Sequence, residues 1–208
     1  MVIQPPNNMF LFEDFIDNIS LCDALIDYFH ENPHNLPKMA GVAYPGNVEI
    51  DTGKLSTDLY IEPSHKHEYP IVDFFKALGN SLGKYIDRYP YSSEYDAFDV
   101  VETVNIQHYK PQQGFTRFHT ERIGSAYPMC HRHLVFMLYC NDVTDGGETQ
   151  FLHQDYWCKA QKGKMVIWPS DWTFTHRGIT SPTQEKTIVT GWWTYNSRRS
   201  NPIPGKLI

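Results

Sequence analysis

Near residue 98 the apolar residues stop recurring at helical spacing and begin to recur at strand spacing, and that one change narrows the folds open to this chain. Ahead of it, Leu21, Leu25, Tyr28 and Phe29 share one face of a helix that Pro33 ends. Ile71, Phe74, Phe75, Leu78, Leu82, Tyr85 and Ile86 mark a second helix, closed by Pro90. Ser20 is the expected N-cap of the first helix, with Asp23 three positions on, close to a capping box. Met9 to Phe12 reads as a short strand-like piece before it. Residues 39–68, rich in Gly, Pro and polar side chains, read as a long loop with one short strand near Leu59-Tyr60-Ile61. A loop of that length in a compact domain is often functional.

Beyond the change come short β-branched or aromatic runs: Val101 to Tyr109, Phe115 to His119, His131 to Cys140, Glu148 to Leu152, Lys164 to Trp168 and Lys186 to Tyr195. Turn signals such as Lys110-Pro111 and Asp145-Gly146-Gly147 separate them. Helices first and strands afterwards predict a mainly β (α+β) domain, a sandwich or barrel supported by N-terminal helices. At 208 residues one domain is expected over 1–208, with its core at about 98–196. A hydrophobic share of 41% and an aromatic share of 14% supply that core.

Composition excludes some functions. A formal charge of −6 argues against nonspecific nucleic-acid binding, and the basic residues are scattered apart from Arg198–Arg199. The longest apolar stretch, Leu134 to Cys140, is far too short to span a bilayer. The first residues show no basic region followed by an apolar run, so no secretory signal is read there. Cys22, Cys130, Cys140 and Cys158 form no C-x-x-C pair, and reduced thiols in a cytoplasmic protein are the expectation.

The chemistry is carried by Phe118-His119-Thr120-Glu121 and Thr175-His176-Arg177. Two His and one carboxylate on one face of an octahedral iron leave three positions open for co-substrate and oxygen. On a strand, His-x-carboxylate places both side chains on one face, and the third ligand comes from a distant strand. His-x-Glu alone is weak among ten histidines. Lys186, ten residues beyond His176, strengthens it. Thr190 and Trp192 follow at period two from that lysine, so a cation, a hydroxyl and an indole share one face. A dicarboxylic co-substrate chelating iron at one end needs such a cationic anchor at the other.

In these residues the chain resembles the prolyl 4-hydroxylase-like branch of the 2-oxoglutarate oxygenases. The resemblance runs from about residue 10 to residue 196 and is densest from Tyr109 to Trp192. It rests on Tyr109 ten residues before the first His, His119-x-Glu121, Leu138-Tyr139-Cys140-Asn141 and Gly146-Gly147-Glu148-Thr149. It continues through Lys164-Met165-Val166-Ile167-Trp168, His176, Lys186, Thr190 and Trp192, with Phe15, Cys22, Asp23, Leu25 and Ile26 echoing the family's first helix. It implies a double-stranded β-helix (jelly-roll, cupin-like) with Fe(II) on His119, Glu121 and His176 and ascorbate as an accompanying reductant. It further implies that Tyr109, Tyr139, Lys186 and Thr190 contact 2-oxoglutarate, with Trp192 packing nearby. Arg132, seven residues before Tyr139, falls where related enzymes carry a substrate-facing arginine. The family usually has Asp where this chain has Glu121, one methylene longer; an anionic ligand there argues against a halogenase.

The implied activity is hydroxylation of a C–H bond with release of succinate and CO2. A prolyl residue in a peptide or protein leads as substrate, a free amino acid or other small molecule follows, and Arg117, Arg122, Tyr127 and Trp193 could add contacts at the rim. A non-catalytic β-barrel binding protein is the rival of another class. A zinc site from Cys130, His131, His133 and Cys140 is a further one, weakened by the missing paired spacing.

Overall fold

The computed structural model describes residues 9–40 and 53–196. The expectations for the first residues, for 41–52 of the long loop and for Arg198–Arg199 lie outside the described residues. Strands and helices follow in the order β1 (Phe12–Phe15), α1 (Ser20–Glu31), β2 (Lys38–Ala40), β3 (Thr57–Ile61), α2 (Ile71–Arg88), β4 (Phe98–Asp99) and β5 (Val104–Tyr109). Then come β6 (Arg132–Tyr139), β7 (Thr149–Phe151), β8 (Tyr156–Cys158), β9 (Lys164–Pro169), β10 (His176–Gly178) and β11 (Lys186–Tyr195).

Seven strands of the larger sheet run β1-β9-β6-β11-β5-β3-β2, with β4 pairing to β11 at one end; a smaller sheet runs β10-β7-β8. Their facing surfaces enclose the barrel. Period-two alternation decides what each face holds. From β6, Leu134, Phe136 and Leu138 point outward to a core shared with Leu25 and Phe29 of α1 and Phe74 and Leu78 of α2. Val135, Met137 and Tyr139 point inward, to Phe151 of β7, Cys158 of β8, Trp168 of β9 and Ile188 of β11. Two cores therefore share one sheet, and the helices cover only the outer one.

Several local expectations change. Ser20 is the first helical residue and not the cap; Asn18 Oδ1 instead accepts from the Ser20 amide at 3.2 Å and from its hydroxyl at 2.7 Å. Asn32, left-handed at φ 45°, ends α1 ahead of Pro33. The first strand begins at Phe12, because Phe10 sits at φ 65° and breaks extended backbone. Within the described part of 39–68 the chain is more ordered than a loop: β2 and β3 pair, and Pro63–His67 forms a 3-10 helix. Phe115 to His119 is not a continuous strand. It is pinned at its two ends, by a Lys54–Phe115 bridge and a His119–His176 bridge. All four cysteines are free thiols.

Candidate metal centre

His119 and His176 come together through their backbones. Each amide donates to the other's carbonyl, at 3.0 and 2.9 Å, so residues 57 positions apart in sequence (176 minus 119) become neighbours. Their ring nitrogens are then sorted by two more carbonyls. His119 Nδ1 lies 3.0 Å from the Arg117 carbonyl and His176 Nδ1 lies 2.9 Å from that of Phe174. A carbonyl only accepts, so each Nδ1 must carry the proton, and each Nε2 is left with a free lone pair. Both Nε2 atoms lie 3.5 Å from Glu121 Oε1. Neighbouring ligands on a six-coordinate ion with bonds of about 2.1 Å stand about 3 Å apart, so this set needs only a small contraction to close on a metal.

The longer glutamate fits because its two oxygens are divided. Oε1 faces the imidazoles, while Oε2 accepts from Trp192 Nε1 at 3.0 Å. Burial opposes the charge on Glu121, while either facing imidazole, once protonated on Nε2 as well, holds its carboxyl well below the usual range by hydrogen bond and charge. For His176, burial first and the charge of His119 second lower the imidazole's proton affinity, which keeps it neutral, as a ligand must be. Aromatic rings wall the centre. Phe115 stacks on His119 at 3.7 Å, and Trp168 meets His176 edge-on at 5.2 Å.

Lys186 opens β11 on the same inward face. Its side chain is buried, its ammonium donates to the Gly147 carbonyl at 3.1 Å, and it lies 5.0 Å from the Tyr109 ring centroid. Among the described residues no carboxylate pairs with it within 4.0 Å, so burial drives its pKa down to about 8, with Glu148 opposing weakly. A Cβ on Gly178 would stand 3.6 Å from this ammonium. Gly178 follows His176 by two residues on β10, a step of about 6.6 Å along a strand, which is the scale of a five-carbon dicarboxylate. Tyr109 donates to Gln107 Oε1 at 2.6 Å, and burial, with the charges of Asp58 and Glu121, keeps its phenol protonated. The hydroxyls of Tyr139 and Thr190 already have protein partners: Thr149 Oγ1 at 2.7 Å for the first, the Phe136 carbonyl at 2.9 Å for the second.

Arg132 is placed otherwise than the resemblance implied. Its guanidinium is held by Glu102 at 2.6–3.2 Å, donates to the Glu121 carbonyl at 3.0 Å, and lies 3.5 Å from the centre of the Trp192 ring. Most of its donors are engaged there, on the carboxylate of Glu102 and on the backbone and side chain of Glu121. Trp193 points to the helix-covered core, away from the rim. Arg122 is paired with Asp171, and Tyr127 is exposed. The alternative zinc set does not converge: His133 Nε2 donates to the Ser92 carbonyl, and Cys140 is buried in the outer core. The residues missed at first are Glu102, Phe115 and Gly178, together with Lys54 and Asp58, a buried pair at 2.6 Å behind Gln107.

A barrel of two facing sheets with two imidazoles and a carboxylate converging on one point is the arrangement that a non-haem metal oxygenase on the double-stranded β-helix uses. The model of the 2OG-Fe(II) oxygenase superfamily matches residues 104–194, the segment that carries the triad and Lys186. Solved structures agree in fold. A viral collagen prolyl hydroxylase from Paramecium Bursaria Chlorella virus-1, determined with 2OG, is 17% identical with a TM-score of 0.64, covering 93% of this chain and 100% of its own. A Pseudomonas putida prolyl-4-hydroxylase is 17% identical at TM-score 0.63, covering 90% and 94%. A Trichoplax adhaerens prolyl hydroxylase, bound to a hypoxia inducible factor peptide fragment, is 12% identical at 0.67, covering 91% and 85%. No curated protein matches the chain by sequence.

Proposed function

We propose that this oxygenase hydroxylates a prolyl residue in a peptide, with Fe(II) held by His119, Glu121 and His176 and the distal carboxylate of 2-oxoglutarate held by Lys186. One observation carries the co-substrate assignment: a buried ammonium with no carboxylate partner among the described residues, beside the strand that begins with a ligand histidine. A buried charge is stable only when paired, so this one awaits an anion.

Bound Fe(II) and 2-oxoglutarate supply the oxidising power, as O2 is divided between succinate, formed with CO2, and the new hydroxyl group. The chain's own residues do the rest. His119 and His176 present unprotonated Nε2 atoms because backbone carbonyls hold the protons on Nδ1. Glu121 stays anionic and is steered by Trp192 and Arg132. Lys186 fixes the far end of the co-substrate, Tyr109 offers a protonated phenol beside it, and Phe115, Trp168 and Phe151 keep water from the ligands.

The peptide reading rests on the rim and on the prolyl hydroxylases that share this fold. Trp172 and Tyr127 are exposed, and Trp172 follows Asp171, the partner of Arg122 in the segment that carries the ligands. Exposed aromatics beside an open mouth suit an extended chain, whose prolyl ring needs no closed pocket. Mass spectrometry for a +O product, across proline-rich peptides, free proline and other amino acids, tests it. Hydroxylated peptide is expected. Oxidation of a free amino acid with no peptide product would overturn the substrate and leave the iron chemistry standing.

A further inference from the structure

A second His–His–carboxylate set lies outside the barrel, where two connections meet. His34 follows α1, in a turn fixed by Asn32, whose side chain accepts from the Leu36 amide and donates to the Leu36 carbonyl, both at 2.8 Å. His65 lies in the Pro63–His67 3-10 helix and Glu68 is its C-cap residue. At three residues per turn, positions i and i+3 eclipse, so His65 and Glu68 face the same way. Glu68 divides its oxygens between the two rings: Oε2 lies 2.5 Å from His34 Nε2 and Oε1 lies 3.3 Å from His65 Nδ1. The imidazoles are 4.7 Å apart, and the three ligand atoms all fall within 4.8 Å of one another.

We propose that His34, His65 and Glu68 bind a divalent metal ion of the zinc class, clipping the α1–β2 connection to the segment that leads into α2. Two imidazoles and one carboxylate suit zinc, and three protein ligands leave its fourth tetrahedral position to water. Tyr28 supplies an independent observation. Its side chain is 4% exposed, and its hydroxyl is buried without a hydrogen-bond partner among the described residues. The ring neighbours this cluster: its centroid is 6.4 Å from that of His34, and, after burial, the charge of Glu68 is what raises its phenol. A buried hydroxyl is rarely left unpaired. A metal-bound water, or the Glu68 oxygen released when the metal takes the histidines, completes it.

The site is unlike the triad in ways that predict its behaviour. Its side chains are partly open to solvent, 38% for His34 and 42% for Glu68, so the ion exchanges and its occupancy follows the free metal concentration. Its hydrogen bonds, ion pairs and ring contacts among the described residues do not include the triad, so its loss is expected to leave turnover intact.

The test uses the full chain, stripped of metal, with the triad blanked by His119→Ala and His176→Ala so that only this site can respond. Zn2+ alone is titrated in and followed by calorimetry and by thermal melting. One equivalent is expected to bind, raising Tm by roughly 5–10 °C when free metal is a hundred times Kd. Adding His34→Ala removes both signals. Glu68→Gln, which keeps the shape and removes the anionic oxygen, weakens binding more than tenfold. Tyr28→Phe weakens it severalfold without lowering the metal-free Tm. No binding by the triad-blanked chain, or an equivalent retained after His34→Ala and His65→Ala, would overturn the site. Equal affinity in Glu68→Gln would do so as well.

Discussion

On the helix-covered face of the large sheet, Phe136 of β6 and Val189 and Trp193 of β11 pack into an apolar core with side chains from the two helices and adjoining strands. On the opposite face of the same strands, β6 presents Met137 and Tyr139, and β11 presents Lys186, Thr190 and Trp192 beside the triad. Backbone pairing is common to both faces, so the contrast is one of side chains alone. The outer face excludes water by packing. The inner face also excludes water, yet it holds charges: buried Lys186, the buried Lys54–Asp58 pair, and partly buried Glu121 with Arg132. Such charges are hard to keep in a dry interior. The rigid outer core fixes the strands, and the strands then hold inward groups in positions they would leave if free.

The contrast breaks first, if it is wrong, at His176. His176→Ala should abolish turnover and most iron binding, while Tm stays within a few degrees of the parent. An anaerobic mixture with Fe(II) and 2-oxoglutarate should lose the weak visible band of a chelated keto acid. Retention of that band with full activity would remove the triad assignment. Phe136→Ala should do the reverse. It empties a fully buried ring position against Trp193 at 4.9 Å and Phe74 at 6.0 Å, so a loss of about 3–5 kcal/mol in denaturant unfolding is expected. The 2-oxoglutarate requirement of the folded fraction should not change.

Lys186 sharpens the comparison because its charge works against the fold. Lys186→Met should weaken 2-oxoglutarate binding by about 2–5 kcal/mol and leave metal binding nearly intact. The pH dependence of stability gives a second readout. The native ammonium titrates at about 8, against 10.5 when exposed, so the native state binds fewer protons between those values. Stability of the co-substrate-free protein should therefore rise with pH through that window, by up to about 3 kcal/mol. The slope should vanish in Lys186→Met. Co-substrate binding runs the other way, weakening above pH 8 as the ammonium loses its proton. A pH-independent 2-oxoglutarate affinity would return Lys186 to a structural role.

Arg132→Ala is expected to lower peptide hydroxylation and the uncoupled decarboxylation of 2-oxoglutarate together, by about 10–100-fold, because a partner that orients a ligand serves both. Loss of peptide hydroxylation alone would restore the arginine to the substrate. This residue also shows where sequence ran short. Its position on a strand and its distance from Tyr139 are readable; its partner Glu102 lies on another segment and is chosen only by folding. Phe115 and Gly178 escaped for the same reason, since neither carries a charge or a motif that announces a stack or an open space. The alternating strands, both helices and the His-x-Glu pair were legible, because periodicity and spacing are local. The cap of α1 was not, because the cap position falls on Ile19, which makes no side-chain cap hydrogen bond, although Asn18 and Ser20 on either side are both good capping residues. Nor were β8 and β10, three residues each, too short for a period to declare itself.

The smallest expected effect tests whether the two faces are independent. Gly191 stands opposite Phe136 in the β11–β6 ladder, on the outer face, and a Cβ there would meet Phe136 Cζ at 2.5 Å and Cε2 at 3.0 Å. Its φ lies outside the left-handed region, so space and not backbone freedom excludes a side chain. The ring of Phe136 fills the room a β11 side chain would take. Gly191→Ala should therefore cost about 1–3 kcal/mol by overpacking. The ring and the new methyl compete for one volume, so combining Gly191→Ala with Phe136→Ala should cost less than the two single changes added together. Thr190 and Trp192 flank the substituted position but face inward, and the ladder between them and β6 is unchanged. The 2-oxoglutarate requirement of folded Gly191→Ala should thus equal that of the parent. A raised requirement would mean that outer packing sets the inward geometry directly, and that one sheet does not keep its two faces apart.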